Sequence, residues 1–275
     1  MPTLRFDVLD VFTDTPFTGN QLAVVHGADE LSTEQLRTIA AEFGYAETTF
    51  PLPPTQPGAD YRVRIFTPAE ELPFAGHPSV GTSWLLARDG VIGLGPAVQE
   101  CLAGLLPVVV DERGSRISGG RRTIGARLDR AALAAAVGLT VADLSDVDPG
   151  VAGCGLEFAY LGVKPDAVSR AEPDRAALRA AGADHGLQVF SLVDGQAHVR
   201  VFVDAGEDAA TGSAALGLCV FAIDRGLIGE TADVVVRQGI EMGRPSTLHC
   251  SVTPEAATVR GDVVHVASGQ MSWAG

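Results

Sequence analysis

RIFTPAEELPFAGHPSVGTSWLLARDGVIG (Arg64–Gly93) lies without a gap on RVFVDAGEDAATGSAALGLCVFAIDRGLIG (Arg200–Gly229), 136 residues further on. Nine of these 30 positions are identical: Arg64/Arg200, Phe66/Phe202, Ala69/Ala205, Glu71/Glu207, Gly76/Gly212, Gly81/Gly217, Gly90/Gly226, Ile92/Ile228 and Gly93/Gly229. The same offset sets GNQLAVV (Gly19–Val25) on GLEFAYL (Gly155–Leu161). Two long copies are too few for a solenoid, so the chain reads as two similar lobes made by duplication.

Each copy has the same coarse order. An alternating apolar strand comes first, Leu4–Phe12 or Phe158–Val163. An amphipathic helix follows in LSTEQLRTIAAEFG, with Ser32 or Thr33 as cap and Gly44 as stop; its counterpart is PDRAALRAAGADHG. Two strands then lead into the motif, Thr48–Leu52 and Tyr61–Phe66 or Gln188–Val193 and His198–Val203, and the runs Ser79–Arg88 and Ala214–Arg225 predict a long helix in each lobe. Val-rich strands close the halves at 108–110, 234–236 and 263–266. The class expected is α+β, two pseudo-symmetric lobes, each a mixed sheet curled around a central helix. The lobes should span residues 1–122 and 123–262, parting in the Gly- and Arg-rich stretch DERGSRISGGRRTIGARL, with 263–275 a tail that returns to the first lobe.

Bulk properties exclude several functions. A net charge of −14 over 275 residues argues against nucleic acid and against an anionic membrane surface. No window approaches a membrane span, and MPTLRFDVLDVFTD has no signal-peptide pattern, so a cytoplasmic protein is expected. Cys101, Cys154, Cys219 and Cys250 are widely spaced and read as buried hydrophobes, and the six histidines show no ligand spacing, so no metal is expected. GLGPAV (Gly93–Val98) is half a dinucleotide fingerprint with a proline inside, and reads as a loop.

The duplicated motif carries the chemistry. In both copies a strand ends, a polar loop with glycine follows, and an apolar helix starts. Such a helix start offers free N–H groups and partial positive charge to a carboxylate or oxyanion. Capping by Thr211 or Ser213 is the alternative reading of the same residues.

Five stretches taken in order, LDVFTDTPFTGNQLAVV, AETTF, FTPAEELPFAGHPSVGT, GEDAATGSAALGL and VRQGIEMGRPSTL, resemble the phenazine-biosynthesis PhzF-like family, of the diaminopimelate epimerase fold. The resemblance runs from about Val8 to Gly269. It implies two similar lobes with an active site between them, a homodimer, and a cofactor-free isomerase of the kind that acts on trans-2,3-dihydro-3-hydroxyanthranilate. The two cysteines of epimerase relatives are replaced here by Ala75 and Thr211, so two-thiol epimerisation is out. By resemblance Glu47, in Glu47-Thr48-Thr49-Phe50, is the general acid/base, and Tyr45 and Phe50 are expected to desolvate it. His77 and Asp208 are implied to help move or stabilise a proton, and Gly76, Gly212 and Ser213 to bind a small carboxylate substrate. Ala209 stands where the family usually has proline, which leaves Asp208 less firmly held. An open Val-rich edge strand in each lobe would suit a homodimer. Two further readings remain open: a small-molecule binder of the same fold without chemistry, and a hydrolase using Ser213, His77 and Asp208.

Overall fold

The computed structural model describes residues 3–272. These fall into two compact units, residues 3–118 with 260–272, and residues 119–259. Elements of the first part of the chain are β1 (Thr3–Val11), β2 (Asn20–Val25), α1 (Thr33–Phe43), β3 (Glu47–Leu52), β4 (Tyr61–Phe66), β5 (Glu71–Leu72), α2 (Gly76–Arg88), β6 (Gly95–Cys101), β7 (Gly104–Val110) and β8 (Gly114–Ser118). There follow β9 (Arg122–Arg127), α3 (Arg130–Ala136), β10 (Gly150–Cys154), β11 (Leu156–Gly162), α4 (Arg175–Ala180), β12 (Leu187–Val193), β13 (Gln196–Val203), β14 (Gly206–Asp208), α5 (Gly212–Asp224), β15 (Ala232–Gln238), β16 (Ser246–Val252) and β17 (Ala257–Ser272).

The first unit is a closed eight-stranded mixed barrel. β1 pairs antiparallel with β2, β2 parallel with β3, β3 antiparallel with β4, and β4 parallel with β6. Antiparallel pairs β6–β7 and β7–β8 follow, β8 pairs with β17, and β17 returns antiparallel to β1. Closure leaves the ring without a free edge. The second unit repeats the order as a seven-stranded mixed sheet: β9, β10, β11, β12, β13, β15, β16, with β11–β12 and β13–β15 parallel.

α2 is buried from His77 to Ser83 and again at Leu85 and Leu86. A helix buried round most of its circumference belongs to a core, and it packs against β1, β2, β3, β7 and β8. Three of its buried residues are Ser79, Thr82 and Ser83, so their hydroxyls need partners inside. Ser79 Oγ donates to the Ala75 carbonyl (2.8 Å) and accepts from Gln99 Nε2 (3.0 Å), Ser83 Oγ donates to Ser115 Oγ (2.8 Å), and Thr82 meets Thr49 (2.8 Å). α5 is more apolar, with ten buried residues, and packs on β9, β10, β11 and β16. α1 covers the outer face of the first unit, with Leu36, Ile39 and Ala40 against Phe50 and Phe66. Each large side chain buried there contributes about 1.5–3 kcal/mol. Its ends form as expected: Ser32 and Gln35 make a capping box, and Gly44 takes φ 66°.

The repeated residues make repeated contacts. Arg64 forks onto Glu71 (2.7 and 2.6 Å) and lies 5.1 Å from the Phe66 ring centre, while Arg200 forks onto Glu207 (2.9 and 2.8 Å) and lies 5.0 Å from that of Phe202. These clusters tie β4 to β5 and β13 to β14, directly before each motif helix. Gly81 and Gly217 mark close approaches: a Cβ at Gly81 would lie 2.6 Å from Leu22 Cδ2, and one at Gly217 would lie 2.1 Å from Tyr160 Oη.

The structure revises several sequence readings. The stretch read as a loss of hydrophobic period holds two strands, β8 and β9, interrupted at Gly119–Arg121. The supposed GLGPAV loop enters β6. Pro96 fits there because β6 pairs with β4 only at Gln99 and Glu100, so no ladder bond is needed from its missing N–H on that side. The counterpart of Phe158–Val163 is β2 rather than β1, since β2 and β11 both pair parallel with the next strand. The second amphipathic helix is only six residues long, and α3 was not anticipated. Among the described residues no Val-rich strand is an open edge: β7, β15 and β17 each have partners on both sides. The homodimer then rests on resemblance alone.

Candidate active site

In the first unit three elements bring Glu47, His77 and Asn20 together. Glu47 begins β3, and Thr49 on the same face of that strand meets Thr82 of α2, so the Glu47 side chain is directed to the α2 side of the sheet. Its Oε2 lies 3.4 Å from Nδ1 of His77, the second residue of α2. Nε2 of the same ring lies 3.2 Å from the Gln21 carbonyl oxygen, and Nδ1 lies 3.5 Å from Asn20 Nδ2. The turn before Asn20 requires Gly19: its φ is 69°, and a Cβ there would strike the Val11 carbonyl at 2.5 Å.

His77 is 4% exposed. Burial pushes its pKa down to about 4, against a smaller opposing effect of the Gln21 carbonyl, so the ring is neutral at pH 7. Glu47 is half-buried, its side chain 17% exposed. The neighbour that distinguishes it is His77 rather than Phe50, which points to the opposite face of β3 and stacks edge-on to Phe66 (5.5 Å). Strand alternation separates residues 47 and 50, which adjacency in sequence conceals.

In the second unit the loop before α5 holds Asp208, Thr211, Gly212 and Ser213. Thr211 Oγ1 donates to Asp208 Oδ2 (2.5 Å). Gln238, at the end of β15 and 1% exposed, fastens the loop: Nε2 donates to the Asp208 carbonyl (2.8 Å) and to Thr211 Oγ1 (2.9 Å), and Oε1 accepts from the Thr211 N–H (3.1 Å). Gly239 follows at φ 73°, where a Cβ would lie 2.6 Å from the Ala209 carbonyl. The loop that lacks proline at position 209 is thus held from across the sheet. Gln238 and Asn20 were not singled out from sequence, although both lie within the stretches quoted above.

Neither helix start is closed by a side chain. Ala75 and Thr211 occupy the N-cap positions of α2 and α5, and neither makes a side-chain cap bond. The amide donors of both first turns and the positive ends of both dipoles therefore suit an anionic group. Ser213 is partly exposed at the second position of α5. A serine-hydrolase arrangement is disfavoured, because both ring nitrogens of His77 are already engaged by Gln21, Asn20 and Glu47.

Among the described residues one cluster resembles a metal-ligand set, formed by Asp7, His26 and Asp89. Arg5 Nη2 lies among them, 3.2 Å from Asp7 Oδ2, 3.1 Å from His26 Nε2 and 2.5 Å from Asp89 Oδ2. A guanidinium is the cation these groups hold. The four cysteines are all buried thiols, and among the described residues no helix is long and apolar enough to cross a membrane.

The α2 helix, wrapped by the barrel, thus begins with a neutral imidazole beside a carboxyl of β3. The chain is 32% identical over 285 residues to trans-2,3-dihydro-3-hydroxyanthranilate isomerase of Pseudomonas aeruginosa, covering 98% of this chain and 97% of that protein. It is 32% identical to the uncharacterized isomerase YddE of Escherichia coli, covering 93% and 94%. Among solved structures, a PhzF-family phenazine biosynthesis protein of Bacillus anthracis superposes with TM-score 0.91 at 24% identity, over 99% of this chain and all of that one. A hydroxyproline epimerase of Agrobacterium vitis shares the fold at TM-score 0.68 and 12% identity, over 98% of this chain and 92% of that one. The protein is an isomerase on an epimerase-like fold. More particularly, residues 9–269 match the family model for phenazine biosynthesis-like protein, and the chain belongs to that PhzF family.

Proposed function

We propose that the chain moves a proton, and with it a double bond, within a small carboxylate, using Glu47 as general acid/base and no cofactor. The observation that carries this reading is the Glu47–His77 pair, a half-buried carboxyl 3.4 Å from a neutral buried imidazole. Glu47 takes a proton from one carbon, the electron pair spreads into the system conjugated with the substrate carboxylate, and the proton returns to a second carbon. No atom is lost and no electron acceptor is needed. The open helix start at Gly76 suits a substrate carboxylate, as does, in the second unit, the one at Gly212 with the Ser213 hydroxyl. Asp208, fixed by Thr211 and Gln238, is the carboxyl that the second unit offers for holding a proton. The Pseudomonas relative supports a cyclic amino-carboxylate such as trans-2,3-dihydro-3-hydroxyanthranilate as the substrate.

The test is proton exchange in D₂O with that compound and a panel of cyclic and amino-acid carboxylates. Wild type should incorporate deuterium into one of them. Glu47→Gln should be slower by about 10²- to 10⁴-fold with its fold intact. Turnover by Glu47→Gln at the wild-type rate would overturn the assignment.

A further inference from the structure

We propose that Asn20 is a positioning residue: with the Gln21 carbonyl it fixes His77 as the Nε2–H tautomer, so that the bare Nδ1 is the face the ring presents to Glu47. This rests on the reading of Glu47 as the acid/base.

The inference follows from counting donors and acceptors. A carbonyl oxygen only accepts, so the 3.2 Å contact between Nε2 and the Gln21 oxygen puts the ring proton on Nε2. The ring is buried and neutral, so Nδ1 has a lone pair and no hydrogen. Two groups face that lone pair, Asn20 Nδ2 at 3.5 Å and Glu47 Oε2 at 3.4 Å. An amide nitrogen only donates, while a carboxyl donates only when protonated. Asn20 therefore supplies a hydrogen to Nδ1 when Glu47 is ionised, and yields to the carboxyl hydrogen when Glu47 carries the proton. The titratable side chain in contact with the ring is Glu47, from β3; β2 contributes Asn20 and the Gln21 carbonyl.

The functional consequence concerns how basic Glu47 is. Without Asn20, an ionised Glu47 faces an unsatisfied lone pair. Moving the ring proton to Nδ1 then creates a charge-assisted bond to the carboxylate, stronger than the neutral bond to Gln21 that it replaces. That bond stabilises the carboxylate and makes it a weaker base. Asn20 keeps the imidazole from doing so, leaving Glu47 able both to take and to give the proton. Asn20 is itself 5% exposed.

The experiment is long-range ¹H–¹⁵N correlation on protein labelled at histidine nitrogen, in wild type, Asn20→Leu and Asn20→Ser. At neutral pH wild type should show His77 protonated at Nε2 only. Asn20→Leu should show the proton on Nδ1, and Asn20→Ser, which keeps a donor, should restore the wild-type pattern in whole or part. In turnover, Asn20→Leu should lower kcat about 10- to 100-fold and move the acid limb of the kcat profile to lower pH. A wild-type ring protonated at Nδ1 overturns the proposal without any variant, as does a folded Asn20→Leu that retains the Nε2–H ring. The spectra need no substrate, so an inactive Glu47 assignment and a wrong tautomer assignment are told apart.

Discussion

Gly217 is identical in the two copies, and its surroundings give a quantitative reason. A methyl at this position in α5 would sit 2.1 Å from Tyr160 Oη and 3.2 Å from Cζ. Tyr160 cannot retreat easily: it is fully buried, stacks on Phe221 at 5.2 Å, and donates its hydroxyl to the Ala214 carbonyl at 2.9 Å. Gly217→Ala must therefore displace the ring and break that bond. Overpacking costs about 1–3 kcal/mol, and a buried hydroxyl left without its partner costs about 1–3 kcal/mol. Replacing a helical glycine by alanine returns about 1 kcal/mol. The net expectation is a loss of about 1–5 kcal/mol, measured by urea unfolding followed by circular dichroism. The decisive arm is the double variant with Tyr160→Phe. Tyr160→Phe alone should cost about 1 kcal/mol, yet in the Gly217→Ala background it should stabilise, because it removes the atom that clashes. Recovery should be partial, since Cζ remains too close. A coupling of at least about 1 kcal/mol is required. Additive effects, or a Gly217→Ala protein as stable as wild type, would refute the close-approach account.

His77 gives a pH signature of the same sign as acid unfolding by carboxylates, but set at higher pH. Its pKa is about 4 in the folded chain against 6.5 ordinarily, so below about pH 6.5 the unfolded state takes up a proton that the native state refuses. Stability should fall as pH drops from about 6.5 towards 4, by about 1.4 kcal/mol per unit. His77→Gln should lack this component, and a wild-type-minus-variant difference independent of pH would contradict it. Gln238→Leu removes the partners of the Thr211 N–H and the Asp208 carbonyl, and should destabilise by about 2–4 kcal/mol. Thermal unfolding checks this, and a raised KM should accompany it. Arg64→Lys and Arg200→Lys each lose a forked carboxylate pair and a ring contact, so both should cost a similar amount, about 1–2 kcal/mol. Clearly unequal effects would argue that the repeated residues do not do repeated work.

Much of the scaffold was legible because its determinants are local. The fork of Arg64 on Glu71 spans seven residues, as does that of Arg200 on Glu207, and a short-range contact that survives duplication appears directly as identity at one offset. Helix stops at Gly90 and Gly226, at φ 74° and 68°, are recorded the same way. Barrel closure is different. It depends on β17 meeting β1 more than 250 residues away, and nothing in either strand names the other. β8 and β9 were missed for a related reason: their alternation is broken by Arg and Gly, and their partners supply what their composition lacks.

The site was half legible because duplication preserves packing and not chemistry. Asn20 matches Leu156, His77 matches Ser213, Asp208 matches Leu72 and Thr211 matches Ala75 at the repeat offset. Glu47 follows from register instead: Thr48 pairs with Ala23 and Phe66, and Leu187 pairs with Ala159 and Phe202, so Glu47 corresponds to Gly186. Every polar residue assigned to one half thus faces an apolar, small or chemically different residue in the other. Self-comparison finds the two helix starts, since both keep their glycine and their uncapped first turn. It is silent on which copy carries the proposed acid/base. That difference is what the proposed proton shift requires. Two equivalent bases would serve removal on one side and return on the other, as in epimerisation, whereas a single carboxyl beside a neutral imidazole serves removal and return by the same group.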